Sequence, residues 1–159
     1  MDQKQEKITL ARLIAQIPTR TAGIDCIGLQ GSERAHFVAR LHRTLGASIV
    51  VLVASPGEAE RFMTDLCFFM PDADDGLKYF PPYNIMPFKF IAYHNETAAR
   101  RMRTLYQLLN ASKPSIIVTT AGALMQKVIP RQKIVDFAEL VMAGEELDRE
   151  HLLAKLPAG

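Results

Sequence analysis

The chain has 159 residues, 48% of them hydrophobic and 23% charged, which is enough for one full domain and the start of a second and is atypical of disordered or fibrous proteins. Its formal net charge of +2 is too small to indicate, by itself, a surface for nucleic acid or for a membrane. No apolar run reaches the roughly 18 residues of a membrane span and no signal peptide precedes the first helix, so we expect a cytoplasmic protein.

The first part of the chain alternates predicted helices and strands. Apolar residues at helical spacing predict a short helix over 8–16, and a compact apolar run predicts a buried strand at 26–29. A second helix is predicted from Ser32, as its N-cap, to the glycine at position 46. The run at 49–53 predicts a strand covered on both faces, and Ser55-Pro56 predicts the start of a helix that buries a stripe ending at Phe69.

The second part continues the alternation after an acidic turn. A third strand is predicted at 77–80, and the proline-rich and aromatic stretch 81–95 is interpreted as an ordered loop. Helical spacing from residue 99 to 109 is followed by a fourth strand at 115–119 and a helix at 121–128. Strands that alternate with helices predict an α/β fold with a parallel sheet in three layers.

The pattern changes after Pro130. A strand-like run covers 134–142 and a short amphipathic helix covers 148–156, which predicts the start of a second, smaller α+β domain. We therefore divide the chain into a first domain, 1–130, and the beginning of another, 131–159.

Neither cysteine nor histidine indicates a metal site. Cys26 and Cys67 lie in apolar surroundings without the CxxC spacing of a metal or redox pair, so we interpret both as buried thiols in a reducing compartment. The histidines show no HExxH or i, i+4 arrangement; they are His36, His42, His94 and His151.

A glycine-rich turn between the first predicted strand and helix has the position of a phosphate-binding loop. Such a loop reads G-x-x-x-x-G-K-[ST], because backbone N–H groups, a lysine and a hydroxyl together hold the phosphates and Mg²⁺. Residues 28–35 read GLQGSERA. Gly28 fits the first position and Gly31-Ser32 resemble the middle of the loop, whereas the last three required residues are replaced; they are Glu33, Arg34 and Ala35.

Each replacement weakens phosphate binding for its own reason. Glu33 adds a side chain and a negative charge where the backbone must approach an anion, and Ala35 lacks the hydroxyl that would hold Mg²⁺. Arg34 keeps a positive charge, but its planar fork does not fit the space of a lysine ammonium. The strand at 115–119 also ends without an acidic residue for the metal. We favour a structural turn without catalysis, while an atypical nucleotide site that uses Gly28, Gly31 and Arg34 stays open.

A group of three arginines lies on the helix predicted at 99–109. Arg100, Arg101 and Arg103 could contact DNA phosphates or an acidic partner, or could form a solvated helix face next to Glu96. The solvated face is the interpretation we prefer. The aromatic stretch 81–93 is open to a similar choice between a binding surface and core packing, of which we favour packing.

The chain resembles the amino-terminal region of the bacterial transcription-repair coupling factors, which is itself similar to the front of the excision-repair subunit UvrB. The resemblance covers most of the chain. The segments that carry it are GLQGSERA, VLVASPGEAERFMTDLCFF, YFPPYNIMPFKFIAYHNETAARRMRTLYQLL, IIVTTAGALMQKVIP and ELVMAGEELDREHLLAKL.

The resemblance implies a UvrB-like first domain, of the P-loop NTPase type, with a degenerate phosphate loop over 1–130. It also implies a truncated second domain from residue 131 and a much longer parent protein. In the family, the second domain docks on UvrA, the front region helps to keep the protein repressed, and a downstream ATP-driven motor acts on DNA and RNA polymerase. The expected role of this chain is therefore a module for interaction and regulation, without catalysis or a cofactor of its own.

Overall fold

The computed structural model describes residues 9–17, 23–73, 76–83, 95–137 and 150. Within these ranges the chain forms six helices and three strands. The helices are α1 (Leu10–Gln16), α2 (Ser32–Leu45), α3 (Pro56–Phe69), α4 (Asn95–Leu109), α5 (Ala121–Met125) and α6 (Arg131–Phe137). The strands are β1 (Ile49–Val53), β2 (Leu77–Phe80) and β3 (Ile116–Thr120).

The three strands form a parallel sheet in the order β1-β3-β2. Ile116 at the start of the central strand pairs with Ile49 on one side and with Leu77 on the other. All five residues of β3 are buried, as expected for a strand with a neighbour on each side and helices over both faces. The prediction of an α/β fold with a parallel sheet is confirmed.

One face of the sheet packs against α2 and α3. Ile116 and Val118 of β3 are fully buried there with Phe62 and Leu66 of α3. The small side chains of Ala35 and Ala39, one helical turn apart, let α2 lie close to this core. Burial of each large apolar side chain of this kind stabilises the fold by about 1.5–3 kcal/mol.

The other face packs against α4 and α5. Its centre is formed by Phe80, Ile117 and Ala123, with Leu105 and Leu108 of α4 packed against them. Threonine hydroxyl groups donate hydrogen bonds to backbone carbonyl oxygens of β2 at this face. The Thr119 hydroxyl donates to the Phe80 carbonyl oxygen at 2.9 Å, and the Thr104 hydroxyl donates to the carbonyl oxygen of Tyr79 at 2.9 Å.

Local sequence signals explain where the first long helices begin and end. Ser55 caps α3 by accepting the Glu58 N–H at 3.2 Å, and Pro56 occupies the first turn, where its missing N–H costs nothing. Gly46 ends α2 in the left-handed conformation at φ 57°, and its N–H donates to the His42 carbonyl at 3.0 Å.

The strand predicted at 26–29 is wrong. These residues form no strand, residue 28 lies in a bend, and Ile27 is 81% exposed. An apolar run becomes a strand only where a neighbour supplies the backbone partners, and β1, the nearer strand in sequence, pairs with β3 alone among the described residues. The predicted burial of the thiols is also wrong, because Cys26 and Cys67 are both exposed.

The strand-like run predicted at 134–142 is also corrected where it is described. Residues 131–137 form α6, which begins after Pro130 with an Ile134 N–H bond to the Pro130 carbonyl at 3.2 Å. Gln132 and Asp136, four residues apart, bond at 2.9 Å on its exposed side, while Ile134 is buried. The remainder of that run, and the helix predicted at 148–156 except for residue 150, lie outside the described residues.

Candidate functional site

The turn at 28–31 leads into the amino terminus of α2. Gly28 and Gly31 have φ values of 100° and 51°, which only glycine adopts without strain. Gly31 occupies the N-cap position, so Ser32, predicted as the cap, is instead the first helical residue. The prediction of a tight glycine turn before a helix agrees with this geometry, although the strand expected before the turn is absent.

The Glu33 side chain binds the turn itself. Its Oε2 accepts the backbone N–H of Gln30 at 3.1 Å, while the Glu33 N–H donates to the Gln30 carbonyl oxygen at 3.1 Å. A carboxylate in the first turn of α2 also interacts favourably with the positive end of the helix dipole. Because a backbone N–H that would face a phosphate is already engaged by an internal anion, the turn offers reduced attraction to an external one.

The Arg34 side chain is directed to the start of α3. Its Nη2 lies 2.9 Å from Glu58 Oε1, and Glu58 Oε2 accepts the Ala54 N–H at 3.1 Å. The Ala54 hydrogen bond, followed by the bond from Arg34, holds the pKa of Glu58 below its ordinary value. The positive charge on which the alternative of an atypical nucleotide site depends is thus paired with a carboxylate.

The methyl group of Ala35 lies in the core. This residue is fully buried and belongs to the cluster that joins α2 and α3 to the sheet. A hydroxyl at this position would therefore face packed apolar side chains. The same edge of the sheet has no acidic residue at the end of β3, where Thr120 caps α5 by accepting the Ala123 N–H at 3.2 Å.

Arg101 occupies a second polar site, inside the fold. It is only 2% exposed, and its guanidinium carbon lies 4.1 Å from the ring centroid of Phe80 and 4.3 Å from that of Tyr83. Nη1 donates to the Pro81 carbonyl oxygen at 2.7 Å and to Gln126 Oε1 at 3.3 Å. Burial lowers the pKa of this guanidinium, and Tyr83 opposes that shift.

Gln126, just after α5, forms hydrogen bonds with both Tyr83 and Arg101. Its Oε1 accepts the Tyr83 N–H at 2.8 Å as well as the Arg101 bond, and its Nε2 donates to the Tyr83 carbonyl at 3.0 Å. We call Phe80, Pro81, Tyr83, Arg101 and Gln126 the arginine clamp. It fastens the chain that leaves β2 to α4 and to the end of α5.

The three predicted arginines do not form one surface. Arg101 is in the clamp, whereas Arg100 is exposed and pairs with Glu96 at 3.2 Å, and Arg103 is exposed as well. The solvated-face interpretation therefore holds for the two outer residues and is wrong for Arg101. Its helical spacing to Leu105 and Leu108, four and seven residues on, was the signal that it faces the core. For Gln126 we find no such signal in the sequence.

No other group in the described ranges suggests a metal or membrane site. His36 lies 5.1 Å from the ring of Phe69, and His42 Nδ1 bonds the Ala47 carbonyl oxygen at 2.9 Å; the other two histidines lie outside these ranges. Among residues with described positions, no three of His, Cys, Asp and Glu come together. None of the described helices is long and apolar enough to cross a membrane.

Comparison with known proteins finds no matching family model. Curated relatives do match, and three of them are transcription-repair-coupling factors. The protein from Myxococcus xanthus is 27% identical over 133 residues, which are 81% of this chain and 11% of the relative. The protein from Rickettsia prowazekii is 27% identical over 89 residues, and that from Rickettsia typhi is 24% identical over 87 residues.

The two rickettsial matches cover 56% and 55% of this chain and 8% of each relative. The chain thus spans about a tenth of the length of the curated relatives that it matches. These matches are distant in identity but name the same protein in each case, in agreement with the family resemblance of the sequence. The chain is therefore similar, at low identity, to the transcription-repair coupling factors.

Proposed function

We propose that this chain is the amino-terminal, non-catalytic module of a transcription-repair coupling factor and serves interaction and regulation. The observation that carries the proposal is the relationship to these factors together with a phosphate-type turn occupied by the protein's own Glu33 carboxylate. In this proposal, residues 1–130 form the first domain and 131–159 begin the second. Work on DNA falls to an ATP-driven motor elsewhere in the parent protein.

The partners follow from the same proposal. UvrA would dock through the second domain, and RNA polymerase and DNA would be engaged by other regions of the parent in the cytoplasm. For the first domain, the geometry supports a structural role: the Arg34–Glu58 pair connects the starts of α2 and α3, and the Glu33–Gln30 bond closes the turn before α2, both without a ligand. The module needs no cofactor for this role.

Titration of the purified chain with a fluorescent ATP analogue and Mg²⁺ tests the absence of nucleotide binding. We expect no saturable binding in the micromolar range, because the turn lacks both the lysine and the hydroxyl and its Gln30 N–H is engaged. A variant with Glu33→Gly and Arg34→Lys serves as the positive comparison. It should gain some affinity for phosphate without hydrolysis. Saturable micromolar binding by the unmodified chain would favour the alternative of an atypical nucleotide site.

The longer parent is tested separately, by reading the coding sequence beyond Gly159. We expect the rest of the second domain and a complete helicase motor there. A stop codon directly after this position would contradict the proposal whatever the nucleotide titration shows.

DNA binding through the arginines of α4 is the weaker alternative. Only Arg100 and Arg103 are exposed, and Arg100 is already paired with Glu96. Phosphate contacts make binding strongly dependent on salt. A DNA affinity at low salt that disappears in an Arg100→Glu, Arg103→Glu variant would support this alternative; no binding at low salt would remove it.

A further inference from the structure

A short segment after β3 exposes an unusual amount of apolar side chain. Four of the six residues from 124 to 129 are large hydrophobics with exposed fractions between 41 and 87%. They are Leu124, Met125, Val128 and Ile129. We call these four side chains the 124–129 surface. Large apolar side chains that are exposed and close together in sequence on a folded domain indicate a contact site.

The backbone beneath the 124–129 surface is held firmly. Ala123 is fully buried beside Phe80 and Ile117, and its N–H is capped by Thr120. Gln126, in the middle of the segment, points inward and makes three hydrogen bonds within the arginine clamp. The surface is thus preorganised, and a partner that docks on it does not have to order the segment first.

Basic side chains accompany the 124–129 surface. Lys127 lies within the segment, and Arg131 begins α6. The acidic residue of α6 with a described side chain, Asp136, is engaged by the Gln132 amide at 2.9 Å. A matching partner would place carboxylates beside its own apolar side chains, because complementary charges fix the register of an interface and exclude other partners.

The small size of the surface favours a partner in the same polypeptide. Four side chains provide less than the roughly 800 Å² per partner of a standard interface between separate proteins. A tethered segment reaches an effective concentration in the millimolar range, at which a small contact is sufficient. The curated relatives are about ten times longer than their matched regions, so such a segment is available in proteins of this kind.

We propose that the 124–129 surface is the docking site for an amphipathic segment of the parent polypeptide, outside these 159 residues, that carries Asp or Glu beside its apolar face. The inference rests on the proposed function only in requiring the longer parent. The arginine clamp then has a purpose beyond stability, since Gln126 presents the surface in a fixed orientation.

Hydroxyl-radical footprinting of the isolated chain and of the parent protein tests whether the surface is covered. Met125 is 87% exposed in the chain and should be oxidised rapidly. In the parent we expect its oxidation to fall by about fivefold, because oxidation of methionine follows exposure. Phe68 of α3 is the internal reference, since it is also highly exposed but lies away from this segment in sequence and packs beside Phe69.

A charge-reversal variant of the parent, Lys127→Glu with Arg131→Glu, tests the acidic character of the partner. Both side chains are exposed, so the fold should persist, and Met125 should regain the oxidation rate of the isolated chain. Arg103→Glu, an exposed charge on α4, is the matched control and should leave Met125 protected.

Three results would overturn the inference. They are equal Met125 oxidation in the chain and the parent, protection that survives the double charge reversal, and protection in the isolated chain that grows with its concentration, which would assign the surface to a second copy. If no parent sequence exists beyond Gly159, the proposed function fails first. A parent that carries the motor but leaves Met125 exposed contradicts the docking inference alone.

Discussion

Arg101 is a buried cation surrounded by aromatic rings and carbonyl oxygens, without a carboxylate partner among the described residues. Its Nη2 also has no hydrogen-bond partner within that part of the chain. The cost of burying this charge is offset by two contacts of the planar guanidinium with aromatic rings and by the bonds of Nη1 to Pro81 and Gln126. Shape is therefore as important as charge at this position.

Replacing Arg101 by lysine separates the effect of shape from that of charge. An ammonium group cannot lie flat between the rings and reach both acceptors, so Arg101→Lys should lower the free energy of unfolding by about 2–3 kcal/mol. Arg103→Lys, on the exposed side of the same helix, should change it by less than about 0.5 kcal/mol. Urea denaturation with unchanged m values measures both. Equal midpoints for the two variants would contradict the clamp.

Ala35 gives a second prediction for a single residue. Ala35→Thr introduces a hydroxyl and a methyl group into a fully buried position, which should cost about 1–3 kcal/mol of stability. Ala99→Thr in α4 is the matched control, because Ala99 is exposed and the change carries the same loss of helix propensity. Thermal unfolding of the two variants compares them. If both lose the same stability, position 35 has room for a hydroxyl and the loop is closer to a working one than we infer.

Among the elements, α3 shows how sequence signals combine at a helix start. Ser55, Pro56 and Glu58 each favour the first turn, and Arg34 of α2 adds a charge from outside. Stability contributed by an ionised glutamate with a lowered pKa is complete above the unfolded pKa of about 4.3 and is lost as the pH falls through the lower folded value.

The acid dependence of stability should therefore change in Glu58→Gln. The variant should be less stable than the unmodified chain at pH 6, and its thermal midpoint should fall less between pH 5 and about pH 3. Glu60→Gln, an exposed change on the same helix, should keep the acid dependence of the unmodified chain. Thermal unfolding followed by circular dichroism across this pH range measures the acid dependence of each variant. Parallel curves for both variants and the unmodified chain would show that Glu58 has no such role.

The local sequence pattern was sufficient to predict the strands that pair in the sheet, but it also predicted a strand at 26–29 that does not form. The runs at 49–53 and 77–80 became β1 and β2 at those bounds, because each found a backbone partner in β3. The equally apolar run at 26–29 has no such partner, and partners are a property of the sheet rather than of the segment. Residues 131–137 form a helix instead of a strand. Its first turn is closed by the bond from the Ile134 N–H to the Pro130 carbonyl oxygen, and Ile134 is buried.

The candidate site was predictable in position and not in its contacts. The sequence located the altered turn and singled out Glu33, Arg34 and Ala35. It did not indicate that Glu33 bonds Gln30, which depends on the backbone path of the turn, or that Arg34 pairs with Glu58, which depends on how two helix starts approach each other. Gln126 was missed because an isolated glutamine after a helix has no pattern that separates an internal hydrogen-bonding role from exposure.

At the scale of the whole molecule, β1 is an unprotected edge of the described sheet. Among the described strands it has β3 as its one neighbour, and Val50 and Leu52 are more than half exposed on the face opposite α2 and α3. Its sequence, IVVLV, has none of the charges or prolines that protect natural edge strands. Such an edge can pair with another chain, so the isolated protein should self-associate through β1.

Leu52→Lys should suppress this association. A lysine at this exposed position opposes strand pairing and leaves the buried residues of β1, such as Val53, in place, so stability should change by less than about 1 kcal/mol. Phe68→Lys removes a similarly exposed apolar side chain from a helix and is the matched control. Sedimentation velocity over a range of concentrations should show fewer oligomers for the strand variant only. An equal decrease for both variants would mean that general surface hydrophobicity, and not the open edge, drives the association.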